Sequence, residues 1–215
     1  MIRLSIDTKA NVNGGHYSRG GYNRCGIKSL DHDFGPEFVL KPFGIFLPDY
    51  DENYFYFTES KVTADFMVDA VENLWPSLKQ RFNPHTLVIN ADNGPENNSR
   101  RSQFMKRLVD FATANSIDIH LAFYPPYHSK YNPIERVWGV LENHWNGELL
   151  NSVDKVLGLA RSMTWNGVSP IVKMVEKTYE KGVTLTKMAM DKIEKVLIRI
   201  PDIEKWAVSI YCFNE

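Results

Sequence analysis

Hydrophobic and polar residues alternate at the start of the chain. Ile2, Leu4 and Ile6 are each separated by one polar residue, and this period of two predicts a β-strand. Asp7 follows at the end of that strand and is expected to face away from the three aliphatic side chains. Residues 10–30 contain five glycines, so this stretch is predicted to be a loop or an irregular hairpin.

The middle of the chain changes between strand and helix patterns. Two runs rich in aromatic and β-branched residues flank a polar turn and predict a hairpin, over residues 38–47 and 54–58. Helices are predicted over residues 63–82, 102–114 and 133–145, and short apolar strands over residues 86–89 and 117–123. Pro76 lies inside the first of these helices and is expected to kink or divide it. The third helix has a predicted apolar face formed by Ile134, Trp138, Leu141 and Trp145.

This order of elements predicts an α/β fold. We expect a mixed five-stranded sheet with an antiparallel edge hairpin, a parallel centre and flanking helices. Ribonuclease H-like folds have this order, although order alone gives only an analogy. The pattern weakens beyond residue 150, where helices are predicted over 153–163 and 186–197 and strands over 172–179 and 206–211. A candidate boundary in the stretch that ends at Pro170 divides the chain into a domain over residues 1–165 and a C-terminal extension over residues 166–215 of unclear role.

Composition places the chain among ordinary globular proteins. Of its 215 residues, 43% are hydrophobic and 24% are charged, which excludes intrinsic disorder as the main state. No apolar run approaches the roughly 18 residues of a membrane span, and the N-terminus has no signal-peptide core. Cys25 and Cys212 are too few for a disulfide scaffold and have no metal-binding spacing. These features predict a cytoplasmic protein with no membrane partner.

Three acidic residues lie at the ends of predicted elements. Asp7 ends the first strand, Asp92 follows the strand over residues 86–89, and Glu135 lies in the first turn of a helix. Carboxylates are hard oxygen ligands that suit Mg²⁺ or Mn²⁺. Three that converge could hold two ions about 3.5–4 Å apart, which is the arrangement used for in-line phosphoryl displacement. One ion would activate the attacking oxygen, and the other would stabilise the leaving 3′ oxygen.

Each of these acids also has a purely structural interpretation. Asp7 could accept a hydrogen bond from a nearby backbone N–H, and Asp92 could begin an Asx turn before the Asn-Gly pair that follows it. Residues 132–135 fit a capping box, with an asparagine N-cap, a proline at the first helical position and Glu135 at the third. Capping and metal binding at Glu135 do not exclude each other.

Three blocks of sequence resemble the catalytic blocks of mariner-type DDE transposases. The most specific block is residues 125–138, in which an Asn-Pro-Ile-Glu-x-x-Trp run follows Pro-Pro-Tyr. Residues 90–94 resemble the second block, and residues 5–9 resemble the first. With the Asn97-x-Ser99-Arg100 that follows the second block, the chain is similar to the bacterial insertion-sequence family named ISAzo-thirteen over roughly residues 2–165.

The resemblance implies a ribonuclease H-like catalytic domain with an acidic triad of Asp7, Asp92 and Glu135. It implies that the triad holds two Mg²⁺ or Mn²⁺ ions, that the phosphodiester at transposon ends is hydrolysed, and that the freed 3′-OH attacks target DNA. The implied partners are double-stranded DNA of the transposon ends and the target, and a second copy of the chain in the active complex. Such a protein is expected in the bacterial cytoplasm, associated with the nucleoid when it is bound to DNA.

The chain departs from this family in two ways. Such transposases carry a helix-turn-helix region before the first catalytic strand, whereas this strand begins at residue 2, so we expect a catalytic fragment, half of a split product or a degenerate remnant. The 42 residues between Asp92 and Glu135, 93–134, exceed the spacing typical of mariner elements.

Two other functions stay open. One is a metal-dependent nuclease of the same fold without strand transfer, and the other is an inactive, domesticated DNA-binding remnant.

Basic residues are unevenly distributed although the charges nearly cancel, with 25 Lys and Arg against 26 Asp and Glu. The total gives no support for a nucleic-acid partner, so such a partner must rest on local distribution. No acidic residue occurs in two windows beside the proposed aspartates, residues 8–30 and 97–108. We predict that DNA phosphates contact Lys9, Arg19, Arg24, Arg100, Arg101, Lys106, Lys130 and Arg136. The alternative is a solvated loop and a solvated helix face.

Overall fold

Nine strands and five helices are described in the computed structural model, which covers residues 1–16, 26, 35–125 and 128–212. The strands are β1 (Ile2–Thr8), β2 (Val12–Gly14), β3 (Phe38–Leu47), β4 (Glu52–Thr58), β5 (Thr86–Asp92), β6 (Asp118–Tyr124), β7 (Ile171–Met174), β8 (Leu197–Arg199) and β9 (Ala207–Ile210). The helices are α1 (Ala64–Phe82), α2 (Ser102–Asn115), α3 (Pro133–Trp145), α4 (Val153–Ser162) and α5 (Lys187–Glu194). Arg19 and Arg24, two of the predicted DNA contacts, lie outside the described residues.

All nine strands belong to one mixed sheet. Its order is β7-β4-β3-β1-β5-β6-β9-β8, and β2 pairs with β3 beside this path. β1 is antiparallel to β3 and parallel to β5, and β5 is parallel to β6. The five central strands form the mixed sheet that the sequence predicts, with its antiparallel hairpin and its parallel centre. Since β7 pairs with β4, that hairpin lies one strand in from the edge.

Helices pack on both faces of the sheet, and the alternation along β1 decides which side chains they meet. The aliphatic residues of β1 face a large core that contains the buried sides of α1 and α2. Ser5 and Asp7 point to the other face, where α3 and α4 form a second core with aromatic residues of β4. The predicted apolar face of α3 is buried in this second core. Within the described ranges, no helix combines the length and the apolar character needed to cross a bilayer.

In helix α1, packing against the core outweighs the tendency of a proline to break a helix. Thr63 caps its first turn by accepting a hydrogen bond from the Phe66 backbone N–H. The predicted division at Pro76 does not occur, because one helix runs from Ala64 to Phe82. Pro76 lies on the exposed side of this helix, while Trp75 and Leu78 beside it are buried in the large core. The burial of these neighbours offsets the roughly 3 kcal/mol that a proline costs inside a helix.

The C-terminal part of the chain adds strands to both sides of the central sheet. β7 extends the β4 side, and β9 with β8 extends the β6 side. The strands predicted over residues 172–179 and 206–211 are present as the shorter β7 and β9, whereas the sequence does not predict β2 and β8. Strands of three or four residues depend on their neighbours more than on their own composition. The division of the chain at residue 165 stays a prediction.

A chain that ends at residue 165 should be less stable than the whole chain and should aggregate. It would lose three strands and leave the outer edges of β4 and β6 without partners. We expect a lower urea midpoint and a larger aggregated fraction in size-exclusion chromatography, with a chain that lacks only residues 213–215 as the control. An unchanged midpoint and a monomeric profile would show instead that residues 1–165 fold independently.

Candidate active site

Asp7 and Asp92 lie at the ends of two neighbouring parallel strands. β1 and β5 are in register through the pair of Ile6 and Ala91, and the two aspartates are the next residues of each strand. Because Ile6 and Ala91 both point into the large core, the two aspartates point to the opposite face of the sheet. The structure therefore places these two predicted residues side by side, on the face where α3 packs.

Asp7 is held by a tryptophan of α3. Asp7 is only 7% exposed, and Trp138 Nε1–H donates a hydrogen bond of 2.9 Å to Asp7 Oδ2. Gly44, opposite Asp7 in β3, leaves the space for the indole, since a Cβ there would lie 2.5 Å from Trp138 Cζ2. Phe55, the neighbour of Gly44 in β4, packs against the same indole with ring centres 4.9 Å apart. These contacts fix the Trp138 ring and, through it, the Asp7 carboxylate.

Asp92 is held by the loop that follows it. Asn97, which is 2% exposed, donates a hydrogen bond of 2.8 Å from Nδ2 to Asp92 Oδ1. Gly94 passes so close to this carboxylate that a Cβ would lie 2.9 Å from Asp92 Oδ2. The hydrogen bond of Asp92 thus runs to a side chain further along the loop rather than to the backbone of an Asx turn.

The C-terminal part of the chain supports the loop after Asp92. Arg199 donates a hydrogen bond of 2.9 Å from Nη2 to the Ser99 carbonyl oxygen. The Arg199 guanidinium is itself held by two hydrogen bonds to the Glu194 carboxylate. This contact joins the loop between β5 and α2 to the end of α5 and to β8.

Glu135 lies in the first turn of α3, whose start is joined to β1 by buried polar contacts. Asn132 Nδ2 donates to the Ile6 carbonyl oxygen at 2.9 Å, and the Ser5 hydroxyl donates to Asn132 Oδ1 at 2.5 Å. The Ile134 backbone N–H in turn donates to Ser5 Oγ at 3.0 Å. Asn132 occupies the N-cap position, but its side chain makes no capping hydrogen bond. The capping-box interpretation of this segment is therefore wrong for Asn132, whose amide links the helix to the strand.

The Asp7 carboxylate interacts electrostatically with both Glu135 and Asp92. Burial, Glu135 and Asp92, in that order, raise the pKa of Asp7 from 3.8 to about 7. The hydrogen bonds from Trp138 and from the Thr8 backbone lower this pKa but do not offset the increase. In the described residues, no three Asp, Glu, His or Cys side chains are grouped so that they could hold an ion as they stand. Binding of one ion by all three acids would therefore need at least one side chain to move.

The predicted DNA-binding residues differ in the partners that hold them. Lys9 and Arg101 have side chains that are 12% and 16% exposed, and they are ion-paired to Glu142 at 2.7 Å and to Glu96 at 3.1 Å. Lys106 pairs with the acidic residue one turn further along α2. Among the residues that the structure describes, no ion pair is seen for three exposed cations, Arg100, Lys130 and Arg136. Exchanging an exposed ion pair for a contact with a DNA phosphate costs little free energy. Breaking a buried ion pair costs more free energy.

Trp138 and Asn97 appear in the sequence only as motif residues, at the end of the third block and after the second, and neither is predicted to contact an acid. Trp138 fits the apolar face of α3, and only its position three residues after Glu135 places it near the carboxylates. Asn97 lies in a loop without periodicity, so no physical pattern in the sequence indicates that it contacts Asp92.

The order and direction of the central strands are those of a ribonuclease H-like fold. The chain belongs to the family described as the Rhodopirellula transposase DDE domain, whose family model matches residues 2–212. This is the ISAzo-thirteen type that the sequence motifs predict, so that prediction is confirmed.

Solved structures of the Mos1 transposase share the fold. The Mos1 transposase paired-end complex with left transposon end matches at 13% identity and a TM-score of 0.50, over 72% of this chain and 45% of that chain. The Mos1 mariner paired end complex with Mn matches at 14% identity and a TM-score of 0.50, over the same 72% and 45%. The chain thus spans less than half the length of the Mos1 chains. No curated protein matches it.

Replacing Asp7 with Asn should change how stability depends on pH. The pKa of Asp7 is raised from 3.8 to about 7 in the folded protein, so between these values the folded state binds a proton that the unfolded state has lost. Relative to Asp7→Asn, the wild type should lose stability as the pH rises from about 4 to 7, by roughly a few kcal/mol in total. Urea unfolding of both proteins across this range measures the difference. A constant difference would contradict the raised pKa.

Proposed function

We propose that the domain cleaves the phosphodiester bond at transposon ends and joins the freed 3′-OH to target DNA, with Asp7, Asp92 and Glu135 as the catalytic triad. The observation that carries the proposal is the position of the two aspartates at adjacent strand ends, where Glu135 also acts on Asp7. Family membership supports the reaction class. Cleavage and joining use the same chemistry, because an oxygen nucleophile attacks phosphorus in both steps, water in the first and the 3′-OH in the second.

Divalent metal ions fit the chemistry of this site. The three side chains are hard oxygen donors, and Asp7 is buried beside two further carboxylates that disfavour its ionised form. We propose that Asp7, Asp92 and Glu135 hold two Mg²⁺ or Mn²⁺ ions. Such ions activate the attacking oxygen and stabilise the leaving oxygen when they are bound. One of the matched Mos1 structures is described as a complex with Mn.

Double-stranded DNA of the transposon ends and the target is the proposed partner. The exposed cations Arg100, Lys130 and Arg136 would contact phosphates, which position DNA without reading its sequence. The triad needs no covalent intermediate with the protein, so no Ser, Tyr or Cys nucleophile is assigned. We also propose a homodimer as the active complex and association with the nucleoid in the bacterial cytoplasm. The paired-end complexes of Mos1 support the dimer.

A strand-transfer assay tests the proposed function. The substrates are a labelled duplex with a free 3′-OH, as left by cleavage, and a supercoiled plasmid, with the gene product that carries this domain and Mn²⁺. We expect the duplex to be joined to the plasmid by the wild type and not by Asp92→Asn. Asp49→Asn, which removes an exposed acid paired with Arg3 near the start of β1, should retain the activity.

The other outcomes of this assay separate the competing functions. DNA cleavage without joining would favour a metal-dependent nuclease of the same fold. Binding of DNA with neither activity would favour an inactive remnant.

Arg100→Ala should weaken DNA binding more than Arg101→Ala. Arg100 is exposed, whereas Arg101 is paired with Glu96 and its side chain is 16% exposed. If Arg100 neutralises one phosphate, its removal should reduce the slope of log K against log salt by about 0.9. Fluorescence anisotropy of labelled duplexes at several salt concentrations measures both affinity and slope. A larger effect of Arg101→Ala, in a protein that remains folded by circular dichroism, would contradict this assignment.

A further inference from the structure

Each of the two aspartates at the end of the sheet has one carboxylate oxygen bound to a side-chain donor from another segment. Trp138 Nε1–H of α3 donates to Asp7 Oδ2 at 2.9 Å, and Asn97 Nδ2 donates to Asp92 Oδ1 at 2.8 Å. In the part of the chain that the structure describes, these are the side-chain hydrogen bonds that the two carboxylates make. The second oxygen of each carboxylate has no side-chain donor there.

We propose that Trp138 and Asn97 are positioning residues, which orient the Asp7 and Asp92 carboxylates for a divalent ion. The inference rests on the proposed metal site and concerns the residues that prepare it. Each donor fixes the rotation of its carboxylate by binding one oxygen. Among the described residues, the other oxygen accepts no side-chain hydrogen bond and keeps lone pairs for an ion, and the Thr8 backbone N–H adds a further hydrogen bond to the Asp7 carboxylate. Neither donor has to contact the ion or the DNA.

Packing alone does not account for the contact between Trp138 and Asp7. A buried indole does not require a hydrogen-bond partner in this protein, since Trp75 Nε1 has none among the described residues. Trp138 reaches Asp7 because Gly44 has no side chain beneath the indole, and Phe55 packs against the same ring. An indole N–H is a donor only, so its one hydrogen bond goes to an acceptor, which here is the carboxylate.

The loop that carries Asn97 is held together by other residues. Asn98 donates to two backbone carbonyl groups of the loop, and Asn93 accepts a hydrogen bond from the Ser99 backbone N–H. The Asn97 amide is 2% exposed and donates to Asp92 instead. Its contact is therefore with the functional group of the site rather than with the loop backbone.

The affinity of the protein for Mn²⁺ tests the positioning role without measuring catalysis. The electron paramagnetic resonance signal of free Mn²⁺ gives the dissociation constant for each variant. Trp138→Phe and Asn97→Ala should each raise this constant by roughly 10- to 100-fold, the usual effect of removing a group that orients a metal ligand. All three carboxylates are unchanged in these variants.

Two matched variants control for structural damage. Trp75→Phe makes the same substitution at a buried tryptophan of α1 that has no bonded acid. Asn115→Ala makes the same kind of substitution at the end of α2, where the amide bonds only to a backbone carbonyl of its own helix. Both variants should bind Mn²⁺ as the wild type does.

A second background separates positioning from general loss of structure. In Asp7→Asn the carboxylate that Trp138 orients is absent, so adding Trp138→Phe should not weaken the residual Mn²⁺ binding further. A purely structural role would weaken binding in both backgrounds. Wild-type affinity in Trp138→Phe and Asn97→Ala would overturn the positioning role while the metal site stands. Failure of the wild type to bind Mn²⁺ would overturn the metal site and the positioning role together.

NMR of the wild type decides the question even if Trp138→Phe does not fold. Of the five tryptophan indole N–H signals, the one that moves most in Asp7→Asn identifies Trp138, because its N–H is bonded to that carboxylate. Mg²⁺ should shift this signal in the wild type and leave it unchanged in Asp7→Asn. An unshifted Trp138 signal at a Mg²⁺ concentration that displaces bound Mn²⁺ would overturn the inference.

Discussion

The packing of α3 against β1 brings the proposed catalytic acids together, and the buried contacts of Asn132 fix that packing. Asn132 bonds to the Ile6 carbonyl and to Ser5, so the helical turn that carries Glu135 is joined to the strand that ends in Asp7. A buried amide or hydroxyl without a partner costs free energy, by about 1–3 kcal/mol per group. Sliding the helix along the strand would break all of these bonds at once. Two acids far apart in sequence are therefore placed by a few polar atoms at one crossing.

Burying Asp7 at this crossing costs electrostatic free energy, which the packing of the two cores has to offset. Asp7 is removed from water by α3 and lies beside two like charges, which is why its pKa is raised to about 7. A site of this kind is least stable when its acids are ionised and without counter-charge. The loop of Asp92 is tied down separately, through Arg199 and the Ser99 carbonyl. Residues near the C-terminus thus contribute to the order of a site formed by strands from the first half of the chain.

Sequence periodicity predicts an element correctly where the residue pattern of that element alone determines its structure. It predicts the central strands and the buried face of α3, but it fails for β8, which has three residues and depends on pairing with β9. At Pro76 a local rule predicts a kink or a division, and core packing keeps one continuous helix. Asn132 looks like a cap in sequence because a cap and a contact with a distant strand require the same residue type. Lys9 lies in a window without acids, yet it is paired with Glu142, which only the fold brings near.

The missing side chain at Gly44 makes two distant positions depend on each other. The indole of Trp138 occupies the volume in which any Cβ at residue 44 would lie. A larger residue in β3 could enter only with a smaller one on α3, and that exchange would remove the donor to Asp7. Substitutions at residues 44 and 138 are therefore not independent. A position in β3 that has no side chain consequently has its permitted side-chain size set by the chemistry of the neighbouring strand.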